Sequence, residues 1–242
     1  MAKYSLRLGH LYPKLLNIYG DYGNVLALKN RCMWRGIELE IEEINVGDRV
    51  VEHDIYFMGG GQDAQQIIVS KELQNVKDDL KLEQENGAVF LAICGGYQLL
   101  GHYYQPQQGE KLLGAELLNI YTIAGEKRFI GNVTSRVDFL KPNSLVGFEN
   151  HSGLTYLQGE TKPLSKVVIG RGNNGQDKTE GARYKNVFGT YLHGALLPKN
   201  PHFADYLISL ALEKKYGEKI ELPTLDDKLE ISAHKAVINK PY

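Results

Sequence analysis

An apolar segment that stops at a cysteine and two glycines constrains this chain more than any other feature. Residues 89–101 read VFLAICGGYQLLG, in which strand-forming residues lead to Cys94, Gly95 and Gly96, and a helical pattern follows. A strand that turns sharply into a helix at a reactive side chain is a nucleophile elbow. The N–H groups and partial positive charge of the helix N-terminus favour a thiolate there. Cys94 is therefore the candidate nucleophile, and the alternative is a buried, unreactive cysteine at a strand end.

Two further strand ends carry residues that suit such a nucleophile. Val187–Leu192 is predicted to be a short strand, and His193 follows it at once. A cysteine and a distant histidine, each at a strand end, form the arrangement expected of a Cys–His dyad. A strand at Asp54–Met58 runs into Gly59–Gly61, whose free N–H groups suit half of an oxyanion hole. The predicted oxyanion donors are the backbone N–H of Gly95 and one N–H from Gly60 or Gly61. A structural histidine and an ordinary glycine loop are the alternatives.

The order of elements predicts an α/β fold. Strands and helices alternate through residues 4–102, and Asp63 is the candidate N-cap of a long polar helix that reaches about Glu85. This order predicts an open, mostly parallel sheet with helices on both faces. Beyond Leu117 the pattern is mostly strands and turns, which predicts an antiparallel extension of the sheet. We divide the chain into a domain of residues 4–210 and a C-terminal extension of residues 211–242, which we expect to be helical and packed on the same domain.

Composition argues against several functional classes. The chain has 242 residues with 28 basic and 29 acidic side chains, so its charge gives no reason to expect a nucleic acid partner. No segment approaches the roughly 20 apolar residues of a membrane span, and the N-terminus lacks the apolar core of a signal peptide. The two cysteines, Cys32 and Cys94, form no disulfide framework, and a thiol-dependent site needs a reducing compartment. We therefore expect a cytoplasmic protein in which Cys32 is structural.

Motifs for cofactors and metals are missing from the sequence. There is no G-x-x-x-x-G-K-[ST] string, and no G-x-G-x-x-G follows a strand. No Cys/His spacing or carboxylate cluster is typical of a metal site. We therefore expect this chain to hold no cofactor and no metal.

Together these segments resemble class I glutamine amidotransferases. In the cobyric-acid-synthase-like branch, a glycine turn, a C-G-G-Y-Q elbow and a Y-L-H-G segment follow one another in this order. Longer strings are similar to the glutaminase subunits of lipid II isoglutaminyl synthase: GFENHSGLTY at 147–156, GRGNNGQDKTEGARYKNVFGTYLHG at 170–194 and LPKNP at 197–201. The resemblance covers residues 4–210 and implies the amidotransferase version of the predicted α/β fold.

The resemblance implies an activity and roles for individual residues. L-Glutamine would be hydrolysed to glutamate and ammonia through a thioester on Cys94, with His193 moving the protons. Gln98 would shape the substrate pocket, and Arg128 would bind the substrate α-carboxylate, which suits a planar guanidinium. From the residues alone, Arg128 beside Lys127 is equally consistent with a surface charge, and Gln98 with a solvent-facing helical residue.

The resemblance also implies a partner. Making an amide from a carboxylate needs activation, which this chain has no motif to supply. A Mur-ligase-like (MurT-type) synthetase subunit in a heterodimer would bind ATP, Mg²⁺ and lipid II. It would use the ammonia to convert the D-glutamate of lipid II to D-isoglutamine for peptidoglycan synthesis. The pair would act in the cytoplasm near the inner face of the membrane.

One position departs from the family pattern. Class I amidotransferases typically carry H-x-E, in which the glutamate orients the histidine, but here Ala195 stands two residues after His193. A Cys–His dyad can work without this carboxylate, or the carboxylate could come from Glu149, Asp177, Glu180 or a side chain of the partner. Without this carboxylate the isolated chain would be a weak glutaminase. The partner could also act by turning an N–H group of Gly59–Gly61 toward the oxyanion.

Two other functions stay open: a glutaminase of another pathway, such as cobyric acid synthesis, and a catalytically silent scaffold. The missing glutamate supports the scaffold, whereas the intact elbow and His193 oppose it.

Overall fold

The computed structural model describes residues 3–240, which contain two β-sheets and five α-helices. In chain order the elements are β1 (Tyr4–Leu11), α1 (Tyr22–Met33), β2 (Ile37–Ile44), β3 (Ile55–Met58), α2 (Asp63–Glu85), β4 (Val89–Ile93), α3 (Gly95–Leu99), β5 (Tyr103–Gln105), β6 (Leu112–Leu113), β7 (Ile120–Arg136), β8 (Ser144–Leu157), β9 (Ser165–Ile169), β10 (Thr179–Glu180), β11 (Ala182–Tyr184), β12 (Val187–Thr190), α4 (Pro201–Tyr216) and α5 (Lys228–Ile238).

The first sheet is mostly parallel. Its strand order is β11-β12-β4-β3-β1-β2, and each neighbouring pair is parallel except β11 with β12. Every residue of β3 and β4 is buried, as expected for central strands covered on both faces. The predicted fold class, an open and mostly parallel sheet with helices on both faces, is confirmed. The carboxyl ends of β1, β3, β4 and β12 therefore meet at one edge, where open α/β sheets bind ligands.

Most of the antiparallel strands form a second sheet, and only β11 extends the first one. The order of the second sheet is β10-β9-β7-β5-β6, with β8 paired to β7. Buried and partly exposed residues alternate along much of β8, as in an antiparallel strand with one face in the core. Periodicity along a strand indicates which face is buried, but it does not indicate which sheet the strand joins. The two sheets meet where His193 forms an isolated antiparallel bridge with Phe148 of β8.

Several element ends differ by a few residues from the sequence prediction. Helix α2 has the predicted bounds, but its N-cap is Gln62, and Asp63 is the first helical residue. Strand β12 ends at Thr190, two residues before the predicted end, and α3 is a short helix that ends at Leu99. Backbone hydrogen bonding decides these ends, and the side-chain pattern reports it only approximately.

The C-terminal helices pack on the rest of the molecule. Helix α4 packs against α1, and α5 lies against β7 and β8. The guanidinium of Arg31 in α1 pairs with Asp205 at 2.7 Å and with Asp227 at 2.6 Å, which attaches the segment before α5. Helix α4 crosses the predicted division between residues 4–210 and 211–242, which stays a prediction. Residues 241 and 242 of that extension lie outside the described residues.

Candidate active site

The backbone at Cys94 has the geometry of a nucleophile elbow. Cys94 follows β4 directly, precedes α3, and has φ 49° and ψ −104°, an unfavourable conformation for a residue with a side chain. A Cβ atom on Gly95 would lie 2.9 Å from the Gly61 nitrogen, and one on Gly96 would lie 2.7 Å from the Gly59 oxygen. Only glycine therefore lets the elbow approach the glycine turn this closely. The predicted strand, turn and helix around Cys94 are confirmed.

His193 is held from two sides. Its backbone N–H donates to the Phe148 carbonyl at 2.8 Å, just beyond the end of β12. Its Nδ1 lies 3.3 Å from Oδ1 of Asp21, and both side chains are fully buried. Nε2 has no hydrogen-bond partner within residues 3–240, so this is the nitrogen left for Cys94. The three side chains therefore have the order carboxylate, imidazole and thiol of a catalytic triad.

Asp21 corrects the prediction about the missing carboxylate. Glu149 accepts hydrogen bonds from the backbone of Arg171 and Gly172, and Glu180 accepts them from Thr190 and Tyr191. Asp177 accepts hydrogen bonds from Asn174 and Thr179. None of the three candidates Glu149, Asp177 and Glu180 orients His193; Asp21 does so, and no partner carboxylate is needed for that contact.

Asp21 escaped the sequence prediction because it lies in the turn GDYGN, 172 residues before His193. One signal does point to it. The turn follows β1, whose carboxyl end lies at the same sheet edge as those of β4 and β12. Ala195, at the usual glutamate position, lies against Gly23 of α1, where a Cβ atom would come within 2.7 Å of the Ala195 Cβ.

The charges around His193 favour its protonated form. Burial opposes protonation, but the negative charge of the Cys94 thiolate and the hydrogen bond and charge of Asp21 outweigh it. Together they raise the pKa of His193 from its usual 6.5 to about 10. The thiolate is the reactive form of cysteine, so a protonated histidine beside the sulfur suits a nucleophile. For Cys32 in α1, burial raises the pKa of the thiol to about 12 and keeps it protonated.

Different glycines of the Gly59–Gly61 turn have different contacts in the site. The Gly60 N–H donates to Oδ2 of Asp21 at 2.7 Å, which removes Gly60 from the predicted oxyanion donors. A Cβ atom on Gly60 would also lie 3.0 Å from Cε1 of His193. Among the described residues, the N–H groups of Gly61 and Gly95 have no acceptor, and these two glycines are in close contact. They remain the predicted donors.

A cavity of about 390 Å³ opens beside Cys94 and includes Arg128 and Gln98 in its lining. Arg128 lies in an irregular stretch of β7, between Ala124 and Phe129, where the register with β8 shifts. Its Nε donates to Oδ1 of Asn150 at 2.6 Å, and its Nη2 donates to the Asn150 carbonyl at 3.2 Å. A bulge can aim a side chain away from the regular strand direction, and here it gives the cavity a fixed guanidinium.

Gln98 is buried in the cavity wall and does not face solvent. Nε2 of Gln66 donates to Oε1 of Gln98 at 2.9 Å, and Nε2 of Gln98 donates to the Tyr191 hydroxyl at 3.1 Å. The Tyr191 hydroxyl in turn lies 2.6 Å from Oγ1 of Thr155. The chain of hydrogen bonds fixes the orientation of the Gln98 amide. Gln66 did not stand out in the sequence because it lies inside a polar helix without a motif.

The comparison with known protein families fits this geometry. Residues 7–201 match the CobB/CobQ-like glutamine amidotransferase domain. The chain belongs to this family. As a CobB/CobQ-like amidotransferase it is an enzyme, and the family resemblance of the elbow, glycine turn and histidine segment is confirmed.

Within the family, the chain is similar to curated GatD subunits. It is 42% identical to the GatD subunit of lipid II isoglutaminyl synthase (glutamine-hydrolysing) of Streptococcus pneumoniae, over 93% of this chain and 87% of that protein. It is 41% identical to the GatD subunit of Staphylococcus aureus, over 98% of this chain and 96% of that protein. The predicted resemblance to these glutaminase subunits is confirmed. A probable cobyric acid synthase of Methanococcus maripaludis is 36% identical over 57% of this chain, but that match spans only 29% of the synthase.

Solved amidotransferase structures share the fold. The crystal structure of one glutamine amidotransferase has a TM-score of 0.58 at 16% identity. It covers 84% of this chain and 98% of its own. Another, a glutamine amidotransferase from Thermotoga maritima, has a TM-score of 0.56 at 15% identity. It covers 96% of this chain and 93% of its own. At these identities the likeness concerns the fold alone. Between residues 3 and 240, no helix is long and apolar enough to cross a membrane, and no side-chain cluster suits a metal ion.

Proposed function

We propose that this amidotransferase hydrolyses L-glutamine to glutamate and ammonia through a thioester on Cys94. The contact of 3.3 Å between Asp21 and Nδ1 of His193 carries the proposal, because it leaves Nε2 to exchange protons with the sulfur. A buried carboxylate, an imidazole and a cysteine at an elbow are the groups that nucleophilic attack on an unactivated amide requires.

The first half-reaction forms the thioester. Nε2 of His193 holds the proton of the Cys94 thiol, and the sulfur attacks the side-chain amide carbon of glutamine. The carbonyl oxygen becomes an oxyanion that accepts hydrogen bonds from the N–H groups of Gly61 and Gly95. When the tetrahedral intermediate collapses, the C–N bond breaks and the imidazolium gives its proton to the leaving nitrogen, which departs as ammonia.

The second half-reaction restores the enzyme. A water molecule gives a proton to Nε2 of His193 and attacks the thioester carbonyl. The C–S bond then breaks, glutamate leaves, and the sulfur returns as the thiolate beside the imidazolium. Asp21 stabilises the imidazolium in both half-reactions and keeps the proton of Nδ1 directed toward itself. Arg128 is proposed to bind the α-carboxylate of the substrate, and Gln98 to shape the wall beside it.

We further propose that the ammonia is used by a Mur-ligase-like subunit in a heterodimer. The two GatD relatives are named as subunits of a lipid II isoglutaminyl synthase, which supports this partner and substrate. The partner would bind ATP, Mg²⁺ and lipid II and would amidate the α-carboxylate of D-glutamate to D-isoglutamine, in the cytoplasm beside the membrane. A cobyric-acid-type pathway receives less support, because the match to such a synthase spans only 29% of it.

A bypass experiment tests the proposal. The chain is combined with its Mur-ligase-like partner, ATP, Mg²⁺ and lipid II, and amidated lipid II is measured by mass spectrometry. With Cys94→Ala, amidation should be lost when L-glutamine is the nitrogen source and kept when ammonium chloride replaces it. If Cys94→Ala uses glutamine as well as the unmodified chain does, the chain is a scaffold. If amidation of lipid II fails with both nitrogen sources while ammonia is still released from glutamine, the synthetase assignment is wrong.

A further inference from the structure

The cavity beside Cys94 carries one charged side chain of each sign at its rim. Arg128 from β7 and Asp63 from α2 both line it and both are exposed. Within the described part of the chain, neither side chain forms an ion pair, with each other or with a third group. Among residues 3–240, Arg128 forms hydrogen bonds with Asn150 alone. The cavity therefore offers a separate cation and anion to a ligand.

The carboxylate of Asp63 is held in the cavity wall beside Tyr104. Tyr104 is buried and also lines the cavity. Burial, together with the negative charge of Asp63 and a hydrogen bond to it, raises the pKa of the Tyr104 hydroxyl to about 12. The hydroxyl therefore keeps its proton and remains a neutral donor beside the carboxylate. Asp63 is also the first residue of α2, so its carboxylate lies at the N-terminus of that helix.

A free amino acid has the complementary pattern of charge. L-Glutamine carries a carboxylate and an ammonium group on the same carbon, three bonds from the amide carbon that Cys94 attacks. If Arg128 binds the carboxylate, the ammonium group needs an acceptor of negative charge on another part of the same wall. Among the side chains that line this cavity, Asp63 is the one carboxylate within the described residues.

We propose that Asp63 binds the α-ammonium group of L-glutamine and thereby selects the free amino acid. The proposal rests on the proposed function and adds the recognition of the substrate amine. Acylation of the amine removes its charge and adds bulk, so glutamine inside a peptide, or with a blocked N-terminus, would lose this contact. The cavity would then release ammonia from free glutamine and spare glutamine residues in proteins.

Another explanation is that Asp63 only supports the helix. An acidic residue in the first turn stabilises a helix in any protein, whatever the ligand. If Asp63 had only that role, replacing it would lower thermal stability and would change the binding of every ligand alike. The test must therefore compare two ligands that differ only at the amine.

Binding to the full-length Cys94→Ala chain, which cannot turn the substrate over, provides this comparison. Calorimetry would measure the dissociation constants of L-glutamine and of 4-carbamoylbutanoic acid, which lacks only the α-amino group. In this background, Asp63→Asn should weaken glutamine binding about tenfold, the usual scale for a charged hydrogen bond, and should change binding of the analogue by less than about twofold. Asp63→Glu, which keeps the charge, should recover part of the loss.

Two variants serve as controls. Asp78→Asn removes the same charge from an exposed position on the same helix and should leave both dissociation constants unchanged. Arg128→Ala should weaken both ligands, since both keep the carboxylate. Equal weakening of the two ligands by Asp63→Asn, or no weakening of either, overturns the proposal, as does a Cys94→Ala chain that binds no glutamine. Failure of the unmodified chain to release ammonia would instead contradict the proposed function, because this test measures binding alone.

Discussion

The carboxylate of Asp21 lies between two parts of the site, with Oδ1 at 3.3 Å from Nδ1 of His193 and Oδ2 at 2.7 Å from the Gly60 nitrogen. The same side chain therefore orients the candidate base and fixes the glycine turn. The side chains of Asp21 and His193 are both buried, so solvent screens the interaction between them only weakly. Replacing Asp21 should consequently affect chemistry more than substrate binding.

Asp21→Asn should lower kcat for glutamine hydrolysis by up to about 10⁴-fold, because an amide no longer stabilises the imidazolium or selects the Nδ1–H tautomer. KM should change much less. Steady-state release of glutamate and ammonia measures both constants. Asp79→Asn, an exposed position on α2, is the matched control. A kcat within about threefold of the unmodified enzyme would show that another group orients His193.

The raised pKa of His193 predicts the alkaline side of the pH profile. The pKa lies above its ordinary 6.5, so the imidazolium that protonates the departing ammonia persists until the pH rises through about 10. The kcat/KM of the free enzyme should therefore hold above neutral pH and fall near pH 10. In Asp21→Asn the fall should begin at lower pH, because one of the charges that raise the pKa is gone. An unshifted profile in that variant would contradict the electrostatic role of Asp21.

Arg128→Ala should raise KM for glutamine by about 10- to 100-fold, because a charge-assisted hydrogen bond to the α-carboxylate is lost. The kcat should change little, since Arg128 does not touch the reacting carbon in this proposal. Arg128→Lys should recover only part of the loss, as an ammonium group cannot pair bidentately. Lys127→Ala removes a neighbouring exposed charge and should be neutral. Similar KM values for Arg128→Ala and Lys127→Ala would mean that Arg128 is an ordinary surface charge.

The two cysteines should differ completely in reactivity. A glutamine-analogue electrophile should label Cys94, which lines the cavity, and spare Cys32, whose thiol is buried and stays protonated. Cys94→Ala should abolish hydrolysis with the fold intact. Cys32→Ala should keep the activity and lose about 1 kcal/mol of stability from the core. Mass spectrometry of labelled peptides gives the answer, and modification at Cys32 would disprove the assignment of the nucleophile.

The sequence predicted the local features of the site better than the contacts across it. The elbow at Cys94 and the helix from Asp63 to Glu85 follow from runs of neighbouring residues, and the structure has both. Asp21 could not be selected in this way, because its partner His193 is 172 residues away and the turn around it matches no motif. The separate second sheet was missed for a related reason, since pairing partners are set by long-range packing.

The bridge between His193 and Phe148 joins two structural units with different tasks. The nucleophile and the Asp21 turn belong to the first sheet, whereas Arg128 and Asn150 belong to β7 and β8 of the second. Strand β8 carries both Phe148, which anchors the base, and Asn150, which holds Arg128. Under the proposed role of Arg128, a substitution on the second sheet would change substrate binding without altering Cys94, His193 or Asp21. In evolutionary terms, the proposed substrate contact and the proposed chemistry could then change independently, although β8 contacts both parts of the site.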